Sequence, residues 1–117
     1  MVIAIPALKT EVEGRKLMSP HFGKAPGFLF IDDESGREWF VENPKAHLER
    51  GGGRAMAALL SENGANVLLV KEIGPGAFEK VKLAGVEIYS VDAKFVDEAI
   101  DRFKLGKAEK LDAPNEE

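Results

Sequence analysis

The chain has 117 residues, 44% of them hydrophobic and 31% charged, a balance that suits one folded domain over residues 1–117 with a modest core and argues against global disorder. A formal net charge of −4 speaks against a nucleic-acid partner held by a basic field. The lack of cysteine excludes disulfides and thiolate metal sites, and leaves a cytoplasmic location as the default expectation.

Met1 to Pro6 is apolar but too short for a signal peptide's apolar region, and no run approaches the roughly 20 residues that span a bilayer, so no membrane partner is expected. Residues 2–6 read as a first strand, central and buried on both faces, closed by Pro6. Residues 7–27 read as a long polar loop, of a length that is usually functional or mobile. Residues 28–32 form a second strand, Asp33 to Gly36 a tight turn, and residues 37–42 a third strand, so that strands two and three make a hairpin. Asn43-Pro44 ends it, and a polar loop follows that carries His47 and Gly51-Gly52-Gly53.

Residues 54–63 have strong helix propensity and stop at Gly64. Residues 67–70 are a buried strand, Gly74-Pro75-Gly76 a turn, and residues 77–84 a second helix stopped by Gly85. Residues 86–91 are the last strand, and residues 96–105 a third helix with Val96, Ala99, Ile100 and Phe103 at helical spacing. The charged segment 107–117 is expected to be mobile, with Leu111 and Pro114 as its only packing residues. The predicted class is α/β: a five-stranded mixed sheet of order 3-2-1-4-5, with strand two antiparallel to the others and helices on its faces.

That topology gathers His21, the His47/Gly51–Gly53 loop and the Gly74–Gly76 turn on the carboxyl edge of the parallel strands, where open α/β sheets hold ligands. Ser19-Pro20-His21-Phe22-Gly23-Lys24-Ala25-Pro26 is the most informative stretch. It holds one of only two histidines, on a backbone that two prolines and a glycine keep stiff and non-helical. In a chain without cysteine, His21 is the softest metal ligand besides methionine, and His47 is the second candidate. Two histidines cannot close a tetrahedral site, but they suit a cluster that brings its own sulfides.

Gly51, Gly52 and Gly53 precede the first helix, and Gly74, Pro75 and Gly76 the second. Free amides at a helix start and absent side chains suit an anionic group, although neither stretch is a phosphate fingerprint; the plainer reading is a tight strand-to-helix turn. Lys24 and Arg54 add positive charge. Ser19 beside His21 makes no triad. Asp32, Asp33 and Glu34 read as turn residues and Trp39 as cover on one sheet face; Glu42 and Glu72 end strands at the rim, where they could bind a cation or orient a histidine, with strand-end solvation as the plainer reading.

In this order the motifs resemble those of the dinitrogenase iron–molybdenum cofactor biosynthesis family, the NifX-like group that also forms the C-terminal part of some NifB proteins. The matching stretches are Ile3 to Pro6, Ser19 to Pro26, Glu42-Asn43-Pro44, Gly51 to Gly53, Ile73 to Phe78, Ala84 to Tyr89 and Leu111-Asp112-Ala113-Pro114-Asn115. The resemblance implies a ribonuclease H-like motif fold and a non-enzymatic protein that binds or carries an iron–sulfur or iron–molybdenum-type cluster, with donor and acceptor proteins of metallocofactor assembly as partners. It places His21 as cluster ligand and His47 as a second one, with Phe22, Gly23, Lys24, Asn43, Arg54 and both glycine stretches around the cargo. Two other functions compete with it. One is a small-molecule or nucleotide-phosphate module that uses the same amides without metal. The other is a hydrolase, which the division of carboxylates between the two sheet edges opposes.

Overall fold

In the computed structural model, which describes residues 1–43 and 52–116 (Gly52 and Gly53 by backbone alone), the first apolar run lies at the middle of a sheet, as its composition demands. The elements in order are β1 (Val2–Val12), β2 (Arg15–Met18), β3 (Gly27–Asp32), β4 (Glu38–Glu42), α1 (Gly52–Glu62), β5 (Val67–Val70), α2 (Pro75–Leu83), β6 (Glu87–Ser90), α3 (Val96–Lys104) and β7 (Glu109–Lys110). The sheet order is β4-β3-β1-β5-β6-β7, with β2 paired to β1 off this path. β3 runs antiparallel to β1 and β4, whereas β5 is parallel to both β1 and β6. The five expected strands therefore take the expected order and directions.

Among the described residues the sheet has seven strands, not five. The first addition corrects the expected loop 7–27. β1 continues to Val12, turns at Glu13 and Gly14, and returns as β2, with Val12 opposite Arg15 and Ala7 opposite Met18. Glu13 (φ 55°) and Gly14 (φ 74°) both sit in the left-handed region that two-residue hairpin turns require. Residues 9–14 are exposed and, Val12 apart, carry no large apolar side chain, so the outer end of this ribbon is held by pairing and not by burial, which removes the usual strand signal. The second addition is β7, inside the segment expected to be mobile. Its Lys110 lies opposite Tyr89 and its Glu109 opposite Ser90.

Alternation along the strands feeds two cores. Ala4, Phe28, Phe30, Leu68, Val70 and Ile88 face α1 and α2, where Met56, Leu60, Phe78 and Val81 meet them. Ile3, Ile5, Leu29, Ile31, Val67 and Leu69 face the other way, toward Val96 and Ala99 of α3. Burying each of the larger of these side chains, the valines, leucines, isoleucines, phenylalanines and Met56, is worth about 1.5–3 kcal/mol. Trp39 covers the first core by stacking on Phe30 with centroids 5.6 Å apart, while its indole N–H donates to Asn63 Oδ1 at 3.0 Å. α1 and α2 begin two residues earlier than expected. Gly74 is the residue before α2, and Pro75 occupies its first turn, where a missing N–H is harmless. No described helix is long and apolar enough to cross a membrane.

Candidate functional site

The loop carrying His21 joins β2 to β3 at the carboxyl edge of β1 and β5. Its start is fastened by Ser19, which is 2% exposed and whose backbone N–H donates to Pro6 O at 2.8 Å. The Ser19 hydroxyl donates to His21 O at 2.9 Å and accepts from His21 N at 3.3 Å, so Ser19 clasps both backbone groups of the histidine. A small buried hydroxyl that satisfies itself on the neighbouring turn is a conformational clasp, and no base lies on it to make it a nucleophile. The imidazole of His21 is left exposed.

Phe22 turns inward. It is 4% exposed and packs edge-to-face on Phe28 with centroids 5.4 Å apart. It therefore anchors the loop in the core rather than presenting its ring on the rim. Lys24 is exposed and Gly23 half-buried. Asn43, at the end of β4, spans the loop from beneath: its side-chain amide donates to Gly23 O at 3.2 Å and Ala25 O at 2.9 Å, and its backbone N–H donates to Pro26 O at 2.9 Å. Its geometry is that of a positioning residue for the His21 loop.

The second wall of the rim is the turn after β5. Gly74 is extended (φ −79°, ψ 169°) and opens α2, with its carbonyl accepting from Phe78 N at 2.9 Å. Arg54 of α1 and Gly76 of α2 line one shallow groove between those helices, together with Ala57, Glu79, Lys80 and Leu83. His47 and Gly51 lie outside the described residues, and Gly52 and Gly53 open α1 as backbone.

Among the described residues, nothing requires two glycines of the rim to be glycine. A Cβ built at Gly23 or at Gly76 meets nothing within 4 Å, and neither residue has a positive φ. By contrast, a Cβ at Gly27 would lie 2.6 Å from Val41 O, so that glycine is required by strand pairing.

Three residues of this edge were not singled out as site residues from sequence: Glu72, Asn115 and Glu116. Asn115 Oδ1 accepts from Ile73 N at 2.8 Å, and its amide donates to Lys71 O at 2.9 Å and to Ser90 Oγ at 3.3 Å. Glu116 N donates to Ile73 O at 3.2 Å, and a Cβ at Gly74 would stand 3.6 Å from Glu116 Oε1. Partial burial of its carboxyl pushes Glu116 above the usual carboxylate range; a hydrogen bond and like charge from Glu72 add to this, and His21 opposes it. His21, Glu72, Gly74 and Glu116 thus share one neighbourhood. The available signal for Asn115 was its place in the closing Leu111–Asn115 motif. Among the described residues, no three histidine or carboxylate side chains are placed to hold a metal ion, so these residues do not fit a resident, fully protein-ligated metal.

A family model described as dinitrogenase iron–molybdenum cofactor matches residues 1–106. The chain is 32% identical over 115 residues to an uncharacterised protein of Methanocaldococcus jannaschii, covering 96% of this chain and 92% of that one. Among solved structures it is similar to the apo form of the orange protein from Desulfovibrio gigas, with a TM-score of 0.90 and 31% identity over 98% of this chain and 96% of that one. It is also similar to a Thermotoga protein provisionally described as a NifB protein, with a TM-score of 0.84 and 34% identity over 99% and 97% of the two chains.

Proposed function

Because this chain belongs to the dinitrogenase iron–molybdenum cofactor family, we propose that it is a carrier for an iron–sulfur or iron–molybdenum-type cluster or its precursor, handed between donor and acceptor proteins of metallocofactor assembly. Its role is transport and not catalysis. The observation that carries this reading is the pair of open glycines. Gly23, two residues from the exposed His21, and Gly76, beside Arg54 in the groove between α1 and α2, keep space that neither the packing of the described residues nor their backbone conformation requires. Glycine weakens a chain entropically, so glycines without an internal reason point to an outside occupant that comes close to the backbone. The likeness to the orange protein, solved in its apo form, supports an occupant that comes and goes. The same reading takes the sheet, by its strand order, as ribonuclease H-like.

The cargo brings its own sulfides and metals, which is why a site without a closed ligand set suits it. His21 supplies the one described imidazole, on a loop whose course is set by Ser19, Phe22 and Asn43. The amide ends of α1 and α2, with Arg54 and Lys24, complement negative charge. His47 is the second proposed ligand, and Gly51–Gly53 the backbone that the cargo approaches.

The test is anaerobic incubation with ferrous iron and sulfide, with and without molybdate, followed by gel filtration, metal analysis and absorption spectroscopy. The parent chain retains iron and a charge-transfer band. His21→Ala loses most of the load but melts like the parent, since exposed substitutions usually shift stability by no more than about 0.5 kcal/mol. His47→Ala loses less. Retention of the full load by His21→Ala contradicts the histidine's role. Failure of the parent to take up iron, combined with binding of a phosphate compound, transfers the rim to metal-free anion binding.

A further inference from the structure

The closing segment does more than pack. β7 joins β6, Leu111 N donates to Ile88 O at 2.9 Å, and the half-buried Leu111 packs on the first core. The chain then crosses the carboxyl ends of β5 and β6. Asn115 fastens it there with three side-chain hydrogen bonds to Ile73, Lys71 and Ser90. Beyond that anchor, Glu116 keeps one backbone hydrogen bond and lays its carboxyl against Gly74, beside Glu72. A root held by three side-chain hydrogen bonds and a following residue held by one backbone bond and a carboxyl contact with Glu72 are the features of a strap.

We propose that residues 111–116 form a gating strap on the cargo rim, anchored by Asn115, in which Glu116 screens the Gly74 start of α2 and sets the barrier to entry and release of an anionic cargo. The proposal rests on the carrier function above and concerns its regulation. Three physical points carry it. A carboxylate beside the amino end of a helix lies on the approach of an incoming anion and repels it there. Glu72 beside it adds like charge, which opposes a close seat for the Glu116 carboxyl. Neutral hydrogen bonds like those of Asn115 are individually modest, so the strap is held without being locked.

Two variants separate anchor from charge. Asn115→Ala frees the strap, and Glu116→Gln keeps its shape but removes its charge. Both should melt close to the parent, and each melt is recorded. Hydrogen exchange at the Ile73 amide, whose acceptor is the Asn115 side chain, should speed up about tenfold or more in Asn115→Ala and stay near the parent rate in Glu116→Gln, because exchange reports local opening. During anaerobic loading with ferrous iron and sulfide, Asn115→Ala should load and release faster than the parent. Glu116→Gln should hold the cluster about two- to five-fold more tightly, the range that one exposed charge interaction commands.

Unchanged loading and release in both variants, with a parent that loads normally, overturns the gate and leaves the carrier reading standing. Unchanged Ile73 exchange in Asn115→Ala overturns the strap's anchor. A parent that never loads overturns the carrier reading, and the gate falls with it.

Discussion

The side-chain amide of Asn43 reaches the carbonyl of Ala25 at 2.9 Å, tying the end of β4 to the loop that displays His21. With its bonds to Gly23 O and Pro26 O, this contact joins the sheet's edge hairpin to the loop of the candidate ligand. Asn43 is 6% exposed, so its donors meet the Gly23 and Ala25 carbonyls away from bulk water. Asn43→Asp replaces the donating amide with an oxygen facing those acceptors. The expected loss is about 1–3 kcal/mol, the penalty for leaving buried polar groups unmatched. A thermal melt measures it. Hydrogen exchange across residues 22–26 should show the loop loosening in the same variant, and an unaltered loop would remove Asn43 from its positioning role.

Gly27 and Gly76 should respond in opposite ways to the same change. At Gly27 a methyl group meets Val41 O at 2.6 Å on the paired strand, so Gly27→Ala should destabilise by about 1–3 kcal/mol through overpacking. At Gly76 the methyl meets open space in a helix, and Gly76→Ala should be neutral or stabilise by up to about 1 kcal/mol. Gly76→Val should in addition lower cluster retention without lowering the melt. Denaturant curves for both alanine variants check the first part, and gel filtration after anaerobic loading checks the second.

Phe22→Ala should be the most damaging change in the His21 loop. The ring is buried against Phe28, and large-to-small replacement of such a ring costs about 3–5 kcal/mol. Phe22→Leu keeps most of the volume and should cost less. Urea unfolding distinguishes the two. Equal midpoints for both would mean that the loop is not anchored through this ring.

Stability should fall in acid partly through Asp97. Arg15 of β2 donates to it through Nε at 2.8 Å and Nη2 at 2.7 Å, and this hydrogen bonding holds the Asp97 carboxyl below the usual carboxylate range. A carboxylate with a depressed folded-state pKa stabilises the fold above its unfolded-state pKa, and that contribution disappears as pH falls through the folded value. Asp97→Asn should therefore lower the melt at neutral pH and flatten its acid dependence. The pair is exposed, so the effect is small and shrinks with added salt. Asp32 is also held low, chiefly by the Glu34 amide, so a residual acid slope should persist in Asp97→Asn. A slope identical to the parent's would show that the Arg15 contact contributes nothing.

The sequence by itself determined the parts of this protein that are built from local pattern. Residues 67–70 are a strand because four consecutive apolar residues must be buried on both faces, and all four are. That the His21 loop is not helical was legible from Pro20 and Pro26, and the edge on which it lies followed from the order of strands and helices. Tertiary structure alone decided the rest. The outer half of β1 carries little apolar signal, and it exists as a strand because β2 supplies its hydrogen bonds; the Glu13-Gly14 turn was its local sign. Phe22 and Asn43, read as residues around a cargo, are bound inward because core and carbonyls were waiting on that side. Asn115 meets Ile73 across 42 positions of chain. Local propensity carries no information over such a separation, and only the completed sheet brings the closing segment onto the rim that holds His21.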